Sequence, residues 1–287
     1  MFLSYIPLLV GLVVACTRSN AQNPEFKEQV KREFTLSKSA ENSTLAIYNI
    51  NGSIKVEGYA GDKIVLEVDK KISAKTDELV EQGKREFLLQ FDQNADSLIA
   101  YIAEPYDSRP NRNRNRDNYR RIDYHYHLDF TVKVPYGLNL SVSTVNGGDI
   151  TVANVNGKMQ ANNVNGAIRL TNIKGATKLR TINGDVEANY LTAPPDQSSY
   201  YTLNGNIKIT YPNNLSADCL FKTFHGEFYT DFPDVAVLPA QVTKNEEQKG
   251  DKTVYKLNKD SHIRIGRGGQ TLRFETFNGN IYLKKQS

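Results

Sequence analysis

With 287 residues, the chain is long enough to bury a sizeable core, as one elongated domain or two compact ones. Its 39% hydrophobic and 24% charged residues are the balance of a folded protein rather than a disordered one. A formal charge of +4 is too small to argue for a nucleic-acid partner, so where the charge sits matters more than its sum.

Phe2 to Ala15 is almost wholly apolar, too short to span a bilayer comfortably, and followed by small residues. That pattern is an export signal rather than part of the fold. Two exits compete. Cleavage after Ala21, at Ser19-Asn20-Ala21, makes residues 1–21 a signal peptide and leaves a chain beginning at Gln22. Val13-Val14-Ala15-Cys16 resembles a bacterial lipobox and would instead give a lipoprotein anchored through Cys16. The first exit is preferred. Either one leaves Cys219 without an intramolecular partner, so Cys219 reads as a buried small hydrophobe. No later stretch is long and apolar enough for a membrane helix.

Residues 22–35 are polar and read as a lead-in. Leu45 to Val56 alternates around Asn51-Gly52, and Gly61 to Val68 alternates strictly, so both predict strands. Ala74 to Phe87 carries helix formers behind Asp77 and Glu78 and predicts one short helix. Phe87–Phe91 and Leu98–Ile102 then predict a strand pair. Residues 105–121 break the pattern: Arg and Asn alternate, apolar residues nearly vanish, and a cationic loop is predicted. A strand resumes at Tyr124 and ends at Pro135-Tyr136-Gly137.

From Leu138 one phrase recurs: apolar–x–Thr–apolar–Asn–Gly–x–apolar–x–apolar. Its clearest copies begin at Val142, Leu179 and Phe274. Gly147, Gly157, Gly166, Gly175, Gly184, Gly205 and Gly226 follow one another at steps of 10, 9, 9, 9, 21 and 21 residues. Nine to ten residues make one strand and a turn, so the repeat predicts an all-β β-solenoid (β-helix or β-roll-like). It would have two strands and roughly 18–21 residues per coil. The residues two and four after each Gly, such as Ile168 and Leu170, would point inward while Arg169, Glu187, Lys208 and Tyr282 point out. The corner residues Asn51, Gly52, Asn146, Gly147, Asn165, Gly166, Asn183, Gly184, Asn204, Gly205, Asn278 and Gly279 are then structural. Gly would supply a positive φ at each corner, and Asn and Thr would stack in ladders. A meander of Asn-Gly hairpins is the competing fold. It gives no reason for Thr to return at alternate turns. Residues 233–262 read as a hairpin excursion from a single domain over 36–285, and Lys284-Lys285 would keep a terminal coil soluble.

These Asn-Gly-x-Ile corners, together with Asn49–Val56, Ile265–Gly269 and Thr276–Ile281, resemble the bacterial β-strand-repeat proteins called "putative adhesins". The resemblance runs from about Leu36 to Lys285. It implies a right-handed β-solenoid in an exported protein with no established enzymatic activity. His225 stands where that pattern has Asn, and the Arg/Asn loop is an addition to it.

The outward residues, Lys178, Arg180, Lys222 and Glu227 among them, mix charge as a solvated face does. Asp149 and Asp185 are placed to satisfy turn amides. His125 and His127 share a strand face with Asp123 and Asp129, a poor metal set. Gly266-Arg267-Gly268-Gly269 lacks the Lys-Ser/Thr of a phosphate loop and reads as a turn. No enzymatic activity, cofactor, metal or nucleic acid is therefore expected. Arg109, Arg112, Arg114, Arg116, Arg120 and Arg121 are the candidate binding residues, because guanidinium pairs bidentately with carboxylate, sulfate or phosphate. The expected role is a non-enzymatic, adhesin-like or scaffold protein at the cell envelope that binds a protein or an anionic glycan. A carbohydrate-active enzyme on a β-helix and a purely structural envelope protein are the competing readings.

Overall fold

The computed structural model describes residues 23–110, 121–249 and 252–286. The predicted export segment, with Cys16 and Ala21, lies outside them. The fold is all-β with one α-helix. Its first elements are β1 (Glu25–Thr35), β2 (Thr44–Tyr48), β3 (Ile54–Tyr59), β4 (Lys63–Ala74), α1 (Asp77–Glu86), β5 (Leu88–Gln93), β6 (Ser97–Glu104) and β7 (Tyr124–Pro135). The repeat supplies β8 (Asn139–Ser143), β9 (Ile150–Ala153), β10 (Met159–Asn162), β11 (Ile168–Ile173), β12 (Thr177–Arg180), β13 (Val186–Tyr190), β14 (Ser198–Asn204) and β15 (Ile207–Tyr211). The last elements are β16 (Ala217–His225), β17 (Phe228–Thr230), β18 (Val235–Lys249), β19 (Lys252–Ile265), β20 (Thr271–Asn278) and β21 (Ile281–Lys285).

Two mixed sheets hold these strands. One has ten strands in the order β1-β4-β7-β3-β9-β11-β13-β15-β21-β17, and the other eleven in the order β18-β19-β16-β20-β14-β12-β10-β8-β2-β6-β5. Through the repeat, each strand lies in the opposite sheet from the one before it. From β8 to β13 each also pairs in parallel with the strand two places on, as β8 does with β10 and β9 with β11. Parallel pairing excludes the hairpin meander, because hairpin neighbours must run antiparallel.

The closing phrase does not end the stack. β20 lies between β14 and β16, and β21 between β15 and β17. The expectation that Lys284-Lys285 guard a terminal coil is therefore corrected: the outermost strands at that end are β17 and the β18–β19 hairpin. The polar lead-in contains β1, an 11-residue strand antiparallel to β4. Helix α1 forms where predicted. Thr76 caps it by accepting the Leu79 amide, Asp77 and Glu78 lie at its positive end, and Lys84 and Arg85 lie at its negative end.

The core lies between the sheets and is built from the inward positions of each strand, including Ile168, Leu170, Val186, Ile207, Ile209, Ile281 and Leu283. Tyr190, Tyr200 and Tyr211 are buried there, with their hydroxyls linked at 2.6 Å and 2.6 Å and Thr177 joined to Tyr190. Burial pushes all three phenols above their ordinary pKa. Burial likewise raises the Cys219 thiol to about 12. That fits a packing role for Cys219 rather than a nucleophilic one.

Three polar ladders fix the corners. The side-chain amides of Asn165, Asn183, Asn204 and Asn278 each donate 2.8 Å bonds to the Oδ1 of Asn146, Asn165, Asn183 and Asn204. Asn146 reaches Asn51 at 3.4 Å. Beneath them, Thr144, Thr181 and Thr202 donate their hydroxyls to the carbonyls of Gly52, Gly166 and Gly184 at 2.8 Å. On the far side of each Gly, Asp149 and Asp185 accept the amides of Ala167 and Asn206, as the sequence predicts.

The predicted reason for glycine holds at most corners, and a second reason joins it. Gly52, Gly147, Gly184, Gly205 and Gly279 adopt positive φ (120°, 74°, 159°, 158° and 150°), as predicted, but Gly166 does not, nor do Gly157, Gly175 and Gly226. What these glycines share, apart from Gly147, is close backbone contact. A Cβ on Gly166 would lie 2.3 Å from the Gly148 carbonyl oxygen, and one on Gly205 2.1 Å from that of Gly184.

Candidate binding surfaces

The arginine-rich segment begins where β6 ends. Ser108 anchors it, donating its hydroxyl to the Tyr48 carbonyl at 2.6 Å and accepting the Ile102 amide at 2.9 Å. Arg109 follows. Its guanidinium is 2.7 Å from Asp107 and 3.4 Å from Asp92, and it lies 3.9 Å above the Tyr101 ring. The Asp107 bond holds the Arg109 pKa above its usual value. Its side chain is only 20% exposed, so Arg109 forms part of the wall that anchors the segment. Arg121 is different: its side chain is 91% exposed and 3.6 Å from Asp123. Arg112, Arg114, Arg116 and Arg120 lie outside the described residues.

A second cationic surface lies on the outer face of the eleven-stranded sheet. Parallel register aligns Ser141, Gln160, Lys178, Ser199, Arg273 and Leu220 in one row across the strands. A neighbouring row holds Asn162, Arg180, Tyr201, Glu275 and Lys222. A shallow groove of about 850 Å³ runs over the first row and reaches Asn139, Lys158, Gln197 and Thr271 at its edge. Lys158, Lys178, Arg180 and Arg273 are all exposed. Lys178 and Arg180 carry no ion pair among the described residues, and Arg180 stacks 4.4 Å over Tyr201. Lys158 is 3.2 Å from Asp196, and Lys222 is 3.2 Å from Glu275.

The ten-stranded sheet contrasts with it. There Arg169, Glu187 and Lys208 occupy consecutive places in one row. Arg169 is bound by Asp149 and lies 3.9 Å from Glu187, so its charge is compensated locally. The Asp149 bond holds the Arg169 pKa above its ordinary value. Sequence reading named Lys178 and Arg180 only as members of a mixed face. The row of cations on the eleven-stranded sheet follows from the register, although the ten-stranded sheet also carries Lys208, Lys284 and Lys285 around one hollow. The row's trace in the sequence is a basic residue just before the first apolar position of the phrase, Lys178 in one copy and Arg273 in another.

Other candidates are structural. His127 Nε2 lies 3.1 Å from Asp129 Oδ2, but Asp129 also accepts the Ser53 amide at 2.9 Å and the Ser53 hydroxyl at 2.6 Å. Burial raises the Asp129 pKa, yet the Ser53 and His127 contacts outweigh it and hold the carboxyl below its usual value. At the far end of the stack, Phe224 pairs with Phe277 at 4.8 Å and Tyr229 with Tyr282 at 5.1 Å. No group of three or more metal-ligating side chains is present among the described residues. No described helix is long and apolar enough to cross a membrane.

No family model matches the chain, and no curated protein matches it. Three solved structures are similar to it at low identity. A "putative cell adhesion protein" from Clostridium sporogenes is 10% identical, with 91% of this chain and 100% of that chain covered and a TM-score of 0.43. A "putative adhesin" from Bacteroides fragilis is 10% identical, with 90% and 97% covered and a TM-score of 0.38. A "putative lipid binding protein" from Parabacteroides distasonis is 11% identical, with 90% and 97% covered and a TM-score of 0.32. All three scores lie below the level at which a common fold can be argued.

Proposed function

We propose that this chain is a right-handed β-solenoid acting as a non-enzymatic, exported scaffold at the cell envelope. Its partner is a protein or an anionic glycan held on the outer sheet faces, and the anionic glycan is preferred. Export rests on the apolar stretch from Phe2 to Ala15. The right-handed winding rests on the parallel pairing, since crossovers between parallel strands of one sheet are right-handed in about 98% of cases.

One observation carries the binding role. The repeat's Asn, Thr and Asp side chains are taken up by the corner ladders, while one sheet face presents Lys158, Lys178, Arg180 and Arg273 among hydroxyls and amides. Arg121 and its loop neighbours are a second cationic contact. A surface of this kind attracts polyanions and offers no acid–base pair for catalysis.

The test is retention on a sulfated glycan and on a neutral dextran across a salt gradient, together with incubation against a polysaccharide panel. Retention by the sulfated glycan alone is expected, weakening steeply between about 50 and 200 mM salt, with no new reducing ends. Salt-insensitive retention would remove electrostatics from the reading. New reducing ends would replace the scaffold with an enzyme.

A further inference from the structure

We infer that the groove on the eleven-stranded sheet is the glycan site, and that a linear, negatively charged glycan lies across the strands along the stacking direction. The inference deepens the binding role proposed above and rests on it. Lys178 is on β12 and Arg273 on β20, with β14 and Ser199 between them in the same row. Two interstrand steps of about 4.8 Å separate these cations by about 10 Å. An extended glycan with one acidic group in each disaccharide presents charges at about that separation. Lys158 flanks this pair at one edge of the groove, and Arg180 stands in the neighbouring row, fixed over Tyr201. Ser141, Gln160, Ser199 and Thr271 line the floor and edge with groups that bond sugar hydroxyls.

The fold disfavours two other ligands. A peptide would need a free strand edge to add its backbone, but β8, β10, β12, β14 and β20 are each paired on both sides. A small free anion would meet only one member of a charge set spread over several strands. Two carboxylates oppose the cations: Asp196 beside Lys158, and Glu275 beside Lys222 in the neighbouring row.

The probe is a size series of heparin oligosaccharides titrated against the full chain by fluorescence anisotropy, with polyglutamate of matched charge as competitor. Tetrasaccharides and longer chains are expected to bind, and disaccharides at least about 10-fold more weakly. The double variant Lys178→Ser/Arg273→Ser should lose about 10-fold or more in affinity and lower the salt slope by about two. Asp196→Asn should strengthen binding about 2-fold, and Arg121→Ser, at the second cationic contact, should weaken it less than the double variant does. All these positions are exposed, and urea unfolding of each variant separates lost binding from lost fold. Binding that survives the double variant but falls with Arg121→Ser overturns the groove and leaves the scaffold standing. Equal competition by polyglutamate overturns the glycan as ligand. Absence of any polyanion binding sinks both the groove and the function it serves.

Discussion

At every corner of the repeat except Gly147, a glycine hydrogen occupies space that a methyl group could not. A Cβ on Gly166 would lie 2.3 Å from a carbonyl oxygen of the coil beside it, and that oxygen belongs to backbone already bonded in place. Gly147 differs: its φ is 74°, but a Cβ there would meet nothing closer than the His127 ring at 3.4 Å. Gly166→Ala is therefore expected to cost about 3 kcal/mol by overpacking, and Gly147→Ala about 1–2 kcal/mol by left-handed strain. Urea unfolding midpoints of the two variants decide the matter. Equal costs would mean that conformation, not contact, selects glycine here. The threonines work at the same scale. Thr181 is buried and satisfies the Gly166 carbonyl, whereas the Asn183 amide beside it is exposed and can exchange its partner for water.

At the scale of elements, β1 is the part that sequence periodicity hides. Phe26, Val30 and Phe34 pack partly buried against the core, one apolar residue in every four, while Lys27, Glu28, Lys31 and Arg32 fill the strand between them. Residues four apart share a face in a strand and in a helix alike, so the spacing selects neither and the intervening charges make the segment read as polar lead-in. Its role is to cover the edge of β4, and its charges keep its own edge from pairing with another chain. A chain lacking residues 23–35 is expected to self-associate through the uncovered β4, as measured by light scattering after gel filtration. A monomer of unchanged stability would show that the edge needs no cover.

The rest was legible to different depths. The repeat announced the parallel strands because Thr, Asn and Gly recur with the inward apolar pair. The helix was legible from its cap and charge order. The threading of β20–β21 between earlier strands was not, because each copy of the phrase fits every neighbouring coil equally well. The groove was hidden for a related reason: Lys158, Lys178 and Arg273 are far apart in sequence and become neighbours only through register.

At the scale of the whole molecule, stability is distributed by neighbour contacts along the stack. β9 to β15 have partners on both sides, whereas β17 is a three-residue strand on the open edge of its sheet. Amide exchange is expected to be slowest in β11 and β13 and fastest, among the sheet strands, in β17. Uniform protection would indicate that the stack opens as one unit. The Asn ladder has a further consequence. Its rungs are 95, 19, 18, 21 and 74 residues apart in the chain, yet every rung is a bond of amide to amide, four at 2.8 Å and the Asn51 rung at 3.4 Å. The two long intervals hold whole inserted units: α1 with its flanking strands in one, and the β18–β19 hairpin in the other. Because each rung needs only an Asn above and below, chain inserted between rungs leaves the ladder itself intact. Whole units can therefore be added at the connections between rungs while the corners stay in register, which lets the chain grow without disturbing the ladder that holds it.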